Sequence, residues 1–232
     1  MNYFDRTKKL IGIEHFNNLK KSTVAIFGLG GVGGYAMEAL IRAGIGKIIL
    51  IDNDTFDETN INRQILATID TIGKNKVDIA EQRAKQINPD IEIIKHKLFF
   101  LPETSNQIDF SEINFCIDAI DTITAKIELI KICNKLNIPI ISCMGTGNKL
   151  DSSKLKIDDI YNTNYCKLAK IIRKLCKENN IPSLTVLYST EESKNIIVSE
   201  NSNKHSPASI SYLPAIAGLK LAEYIIKQII KE

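Results

Sequence analysis

Ile26-Phe27-Gly28-Leu29-Gly30-Gly31-Val32-Gly33-Gly34 is the stretch that decides the fold. An apolar, β-branched run of buried-strand type, Thr23 to Phe27, leads into it, and Tyr35, Ala36, Ala39, Leu40 and Ala43 follow at helical spacing. Strand, glycine turn and helix in that order predict the opening unit of a doubly wound sheet. In such a unit Gly28, Gly30 and Gly33 permit the tight turn, the close approach of backbone to a phosphate, and close contact between helix and strand. The ligand anion then sits on the helix N-terminus. A glycine turn that only packs a helix on a sheet is the competing reading. Asp52 weighs against it, because it closes the next apolar run, Lys47 to Ile51, where it can accept hydrogen bonds from ribose hydroxyls.

Outward from this unit the chain keeps alternating. Val77, Ala80, Ala84 and Ile87 give a helical pattern over 75–87, Asn88-Pro89 ends it, and residues 91–94 resume a strand. Residues 115–118 read as a strand, 125–136 as a helix and 138–144 as a strand opened by Pro139. The expected fold is α/β: a Rossmann-like, doubly wound, mostly parallel sheet with helices on both faces, plus a smaller C-terminal extension. Residues 1–150 form the nucleotide-binding part behind an N-terminal arm, and 151–232 complete the same domain. The crevice lies at the carboxyl ends of the strands, where Gly28, Asp52, Asp118, Asp121 and Gly145-Thr146-Gly147 are expected to gather.

The 232 residues, 44% hydrophobic and 25% charged, can bury a sizeable core. No apolar run approaches a membrane span, and the charged start Met1 to Lys9 lacks the apolar region of a signal peptide, so a cytoplasmic location is expected. Five cysteines form no C-x-x-C pair, which points away from zinc and from a disulfide scaffold. The net charge of +3 neither announces nor excludes nucleic acid. His15, His96 and His205 stand far apart without ligand spacing.

The loop after Asp52 narrows the chemistry. Asn60, Asn62, Arg63 and Gln64 crowd a segment where hydride transfer needs no such set, and a forked cation flanked by amides suits polyphosphate. Lys76 adds a second cation at the start of a helix, and Asp121 supplies the hard oxygen ligand that Mg²⁺ prefers. Two cations, a carboxylate and a phosphate cradle describe nucleotidyl or phosphoryl transfer.

Arg6, Gly28-x-Gly30-Gly31-x-Gly33, Asp52-x-Asp54, Asn62-Arg63-Gln64, Gly73-x-x-Lys76 and Asp118-x-x-Asp121 stand in an order that resembles the ubiquitin-activating-enzyme-like superfamily, the ThiF/MoeB/HesA group. Members of that group adenylate a carboxylate with ATP. The resemblance implies that the glycine turn, Asp52, Asp54, Asn60 and Thr122 surround the nucleotide. It further implies that Arg63 and Lys76 hold its phosphates and that Asp121 holds Mg²⁺. Arg6 resembles an arginine that enters the active site of a neighbouring subunit, which implies a homodimer; an exposed tail residue is the alternative.

The second half resembles the branch that dehydrates threonylcarbamoyladenosine in tRNA, through Lys156-Ile157-x-Asp159-Ile160-Tyr161, Cys166-x-Leu168-Ala169-x-x-x-Arg173, Val186-x-Tyr188-Ser189-x-Glu191 and Ser209-Ile210-Ser211-x-x-Pro214-x-x-Ala217-Gly218. Relatives that charge a ubiquitin-like sulfur carrier commonly hold zinc through paired C-x-x-C motifs, absent here. Some relatives place a cysteine near the segment holding Ala208-Ser209 and work with a cysteine desulfurase or sulfur acceptor; its absence puts a sulfur relay in doubt. Cys143, next to Gly145, is the cysteine expected nearest the crevice, with packing its expected role.

Leu168, Ile171, Ile172 and Leu175 define one face of a helix whose remainder carries Lys167, Lys170, Arg173 and Lys174. That basic face is either solvated or, with the polar, expectedly mobile segment 190–206, a platform for tRNA. A strand over 183–188 and a closing helix over 214–230, with Leu219, Ala222, Ile226 and Ile229 inward, complete the chain. Three functions stay open: the tRNA dehydratase, an adenylyltransferase for a carrier protein ending in diglycine, and a nucleotide-binding scaffold without catalysis.

Overall fold

The computed structural model describes residues 3–194 and 207–231. Seven strands, Thr23–Phe27 (β1), Lys47–Ile51 (β2), Glu92–His96 (β3), Phe115–Asp118 (β4), Ile140–Cys143 (β5), Leu155–Asp159 (β6) and Thr185–Ser189 (β7), form one sheet in the order β3-β2-β1-β4-β5-β7-β6. All pairings are parallel except that of β6 with β7. Helices Asp5–Lys21 (α1), Gly33–Ala43 (α2), Lys76–Ile87 (α3), Ile123–Leu136 (α4), Lys167–Glu178 (α5) and Tyr212–Ile230 (α6) cover both faces. The expected α/β, mostly parallel architecture is therefore present.

All five residues of β1 are buried, as a central parallel strand under two helical layers requires. Val24 and Ile26 face α1, α2, α3 and α6, while Ala25 and Phe27 face α4 and Phe100. Each large apolar side chain buried this way contributes roughly 1.5–3 kcal/mol. Helix α6 lies directly on α2: a Cβ at Gly218 would come within 2.3 Å of the Val32 carbonyl oxygen. Among the described residues no helix is long and apolar enough to cross a membrane.

Five points depart from the sequence expectations. The N-terminal arm is mostly the helix α1, broken at Gly12, whose φ is +81°. Leu155–Asp159 is an edge strand that the sequence did not announce. Leu219 points outward at 47% exposure, and α6 buries Leu213, Ala217, Gly218, Leu221 and Ile225 together with Ala222 and Ile229. Likewise Ile171 is 44% exposed, because α5 turns Ala169, Ile172 and Cys176 inward. The start of the segment expected to be mobile is tied down: the Glu191 carboxylate accepts from the Leu150 and Asp151 amides, and the Lys194 amide donates to the Asn148 carbonyl. The rest of it, 195–206 with His205, lies outside the described residues.

Candidate functional site

The strand order reverses between β1 and β4, and the crevice opens there at the carboxyl ends. Gly28 follows β1 at φ +92°, and a Cβ on it would sit 2.6 Å from the Ala119 carbonyl oxygen, so neither the conformation nor the space admits a side chain. Gly33 touches the same turn even more closely: its Cβ would fall 1.8 Å from the Gly28 carbonyl oxygen. Gly30 differs, since the nearest atom to a Cβ there is the Gln64 side-chain nitrogen at 3.9 Å. The loop therefore keeps two glycines for its own packing and leaves one open to the crevice.

Asp52 braces this loop. One carboxylate oxygen accepts from the Leu29 amide at 2.6 Å and the other from the Asp54 amide at 2.8 Å, leaving lone pairs for a ligand. Burial pushes its pKa up, with Lys76 and the two amides opposing. Lys76, 6% exposed at the start of α3, pairs with Asp54 at 2.9 Å, and its amide donates to the Asp54 carbonyl. Asn60 closes a capping box with Asp57, while its carbonyl accepts from the amides of Arg63 and Gln64. The Arg63 guanidinium donates to the Thr59 carbonyl at 2.7 Å and to Asn62 Oδ1 at 2.9 Å. Gln64 is buried, and its Oε1 has no partner among the described residues. Asp121 is exposed at the lip, accepting only from the Thr122 hydroxyl, at 3.3 Å, among the described hydrogen bonds.

These residues line one cleft of about 740 Å³, which brings together Gly28, Gly30, Gly31, Asp52, Asp54, Asn60, Arg63, Gln64, Lys76, Asp121 and Thr122 with Thr146 and Gly147. Five expected residues stand elsewhere, and Gly145 is one, since it lies outside the lining that Thr146 and Gly147 join. Gly33 lies under the loop, Asn62 sits at the rim with its amide on the Ser209 carbonyl, Asp118 is buried below the floor, and Arg6 is exposed on α1. On α5, Lys167, Lys170 and Lys174 are exposed and outside the cleft. Arg173 is not free: its Nη1 donates to the Thr163 carbonyl at 2.8 Å and the Thr163 hydroxyl at 2.6 Å, holding the turn before the helix. The exposed cations of the expected basic face are therefore Lys167, Lys170 and Lys174.

Two parts of the cleft escaped sequence reasoning. Leu98, Phe99 and Phe100 form an apolar wall, legible in hindsight as the run that follows β3. Pro207, Ala208 and Ser209 form a roof, with the Ala208 amide donating to Asn148 Oδ1 at 2.7 Å; no local pattern marks such a long-range contact. A larger hollow of about 1060 Å³ opens at the opposite, amino ends of the strands, near Lys21, Asp109 and Pro139, and gathers none of the residues above. All five cysteines are free and buried, and burial pushes the Cys143 thiol up to about 12. Among the described residues no group of His, Cys, Asp and Glu is arranged to hold a metal by itself.

A glycine turn, two cations and an exposed carboxylate around one cleft define a nucleotide site on a doubly wound sheet. The ThiF family model matches residues 4–232, and the chain belongs to the ThiF family. It is 39% identical over 246 residues to the tRNA threonylcarbamoyladenosine dehydratase of Bacillus subtilis (strain 168), covering 100% of this chain and 96% of that relative. The crystal structure of Escherichia coli tRNA N6-threonylcarbamoyladenosine dehydratase in complex with ATP superposes with a TM-score of 0.91 at 28% identity, covering 99% of this chain and 94% of that one. The sulfur carrier protein ThiS adenylyltransferase of E. coli (strain K12) is 32% identical over 142 residues, 60% of this chain and 56% of that relative.

Proposed function

We propose that this chain dehydrates N6-threonylcarbamoyladenosine in tRNA, using ATP to adenylate the threonyl carboxylate. The observation that carries the reading is that Arg63, Lys76 and Asp121 line one cleft with the open glycine, Gly30, in a chain alike over its whole length to a dehydratase of that name. A carboxylate is a poor electrophile, because its charge repels nucleophiles and an oxide leaves badly. Its oxygen attacks the α-phosphorus and pyrophosphate leaves. An internal nitrogen of the same modified nucleoside then attacks the acyl carbon and gives up its proton, and AMP departs with the former carboxylate oxygen. The net change is loss of one water and closure of a ring.

The residues divide these tasks. Asp52 offers its free lone pairs to ribose hydroxyls, the Gly28–Gly33 turn and the α2 N-terminus receive phosphate, and Lys76 and Arg63 offset the charge that grows on the phosphates. Leu98–Phe100 supply the apolar wall for the base. Asp121 is a fit for Mg²⁺: it is exposed at the lip with a single long hydrogen bond, and Mg²⁺ is usually held by one or two carboxylates plus phosphate oxygens and water. Bound there, the ion would neutralise phosphate charge.

The substrate side is read from the remainder. Residues 1–150 supply the nucleotide cradle, which Pro207–Ser209 roof, and 151–232 form the tRNA side, where phosphates meet Lys167, Lys170 and Lys174 on α5. Exposed Leu10 and Ile13 on α1, and Leu219 on α6 against which α1 packs, favour a homodimer in which Arg6 reaches the partner's cleft. Burial holds the Cys143 thiol at about 12, which makes it no nucleophile at neutral pH, and the internal nitrogen of the substrate makes an enzyme cysteine unnecessary; a cysteine desulfurase or sulfur acceptor would act as a separate partner. ATP and tRNA imply the cytoplasm as its place of work. The test is incubation with ATP, Mg²⁺ and tRNA carrying the modified nucleoside, followed by mass spectrometry of the digest. ATP-dependent loss of one water supports the reading. An unchanged nucleoside, with adenylation of a diglycine carrier instead, replaces it by the carrier reading.

A further inference from the structure

The residue before Asp121 is gripped by a buried ion pair. Asp118, the last residue of β4, and Lys126, in the first turns of α4, are both 0% exposed, and Lys126 Nζ lies 3.0 and 2.9 Å from the two Asp118 oxygens. Each partner also bonds the backbone of Ile120: its amide donates to Asp118 Oδ1 at 3.1 Å, and its carbonyl accepts from Lys126 Nζ at 2.8 Å. The Ser142 hydroxyl donates to the remaining Asp118 oxygen from β5. Lys126 reaches the other side of Asp121 as well, since its own amide donates to the Thr122 carbonyl at 3.0 Å.

Holding both peptide groups that flank Ile120 sets its φ and ψ, and therefore the direction in which Asp121 leaves the sheet. The loop is anchored upstream too, where the Ala119 amide donates to the Phe27 carbonyl and the Ala119 carbonyl abuts Gly28. The carboxylate lip and the glycine turn are thus fixed relative to one another. A buried ion pair is seldom a gain over apolar packing, because desolvation offsets the attraction. Here its spare hydrogen-bonding capacity goes to the loop that carries Asp121.

We propose that Lys126 and Asp118 are positioning residues that aim Asp121 at the metal and phosphate position; this rests on Asp121 being the Mg²⁺ ligand, as proposed above. Neither touches substrate. Loss of the pair leaves the nucleotide cradle intact and misdirects the carboxylate.

The experiment compares wild type, Asp118→Asn/Lys126→Met and Asp121→Asn, measuring melting temperature, ATP affinity in EDTA, and the Mg²⁺ dependence of AMP release. The double variant removes both charges at similar volume, so no buried charge is stranded. The expected result is a folded protein with unchanged metal-free ATP affinity and a half-saturating Mg²⁺ concentration raised about 10- to 100-fold, the range for groups that orient a metal ligand. A folded double variant with wild-type Mg²⁺ dependence overturns the proposal. If Asp121→Asn shifts that dependence and the double variant does not, the positioning role alone fails; if Asp121→Asn does not shift it either, the metal reading beneath it fails. Independently of how the variants fold, wild-type hydrogen exchange reads the grip. The Ile120 amide should exchange as slowly as the amides of β4, and exchange at the rate of an exposed loop overturns the proposal.

Discussion

Gly30→Ala and Gly33→Ala should fail in opposite ways, although they lie three residues apart in one loop. At Gly30 a methyl group meets nothing nearer than the Gln64 side-chain nitrogen at 3.9 Å, and the backbone is not in the left-handed region. Folding should therefore tolerate alanine, and the loss of unfolded-state entropy adds about 0.4–1 kcal/mol of stability. The same methyl group enters the space read here as the phosphate cradle. Overpacking of that order costs about 2 kcal/mol, or roughly thirtyfold in ATP affinity. At Gly33 a methyl group would lie 1.8 Å from the Gly28 carbonyl oxygen, so helix or turn must move. A cost of about 3 kcal/mol lowers the melting temperature by roughly 6–12 °C in a chain of this size. Calorimetric titration with ATP and thermal melting of both variants separate the effects. Wild-type ATP affinity in a folded Gly30→Ala protein would refute the cradle.

Lys76→Ala should slow AMP formation about 10²- to 10³-fold, as loss of a preorganised charge does, with little loss of stability because its partner Asp54 is 57% exposed and can rehydrate; steady-state kinetics and a melting curve check both halves. Glu38 joins α2 to α3 through Arg83 and pairs with Arg42 within α2, and although burial raises its pKa, the two guanidinium groups outweigh burial and hold it below the ordinary 4.5. A depressed carboxyl contributes stability above its unfolded value that is lost as pH falls through the folded value. Glu38→Gln should thus cost about 2 kcal/mol at pH 7, the range for hydrogen bonds to charged groups, and the gap to wild type should close below pH 4.5; a gap that stays constant down to pH 3 contradicts it. Reversing Lys167, Lys170 and Lys174 to Glu should lower the slope of log affinity for tRNA against log salt by about 2–3 and leave ATP affinity alone, as filter binding over a salt series would read.

What could be read from sequence was what local spacing dictates. The β1 turn, the Asp52 position, α3 and α4 are carried by runs of apolar residues and glycines whose neighbours in space are also neighbours in sequence. Helix α1 was missed because it buries only Phe16 and Leu19 and carries charge on most sides. The edge strand β6 was missed because its inner positions are exposed and nothing alternates. In α6 the bulky residues misled: close approach to α2 is made by Ala217 and Gly218, so the buried face follows the small side chains and Leu219 is left outside. Lys126 carries a signal in the sequence. It shares a helical stripe with Leu129, Ile130 and Cys133, all buried, and a charge on an apolar stripe demands a partner, which Asp118 supplies from the end of β4. The pairing itself, like the roof made by Pro207–Ser209, depends on tertiary contact.

Adenylation has an atomic signature. With the threonyl carboxylate of the tRNA nucleoside labelled with heavy oxygen, one labelled oxygen should pass to AMP in each turnover, and none should do so in Asp121→Ala. Label in inorganic phosphate, or AMP without label while the ring closes, would contradict carboxylate adenylation by this chain.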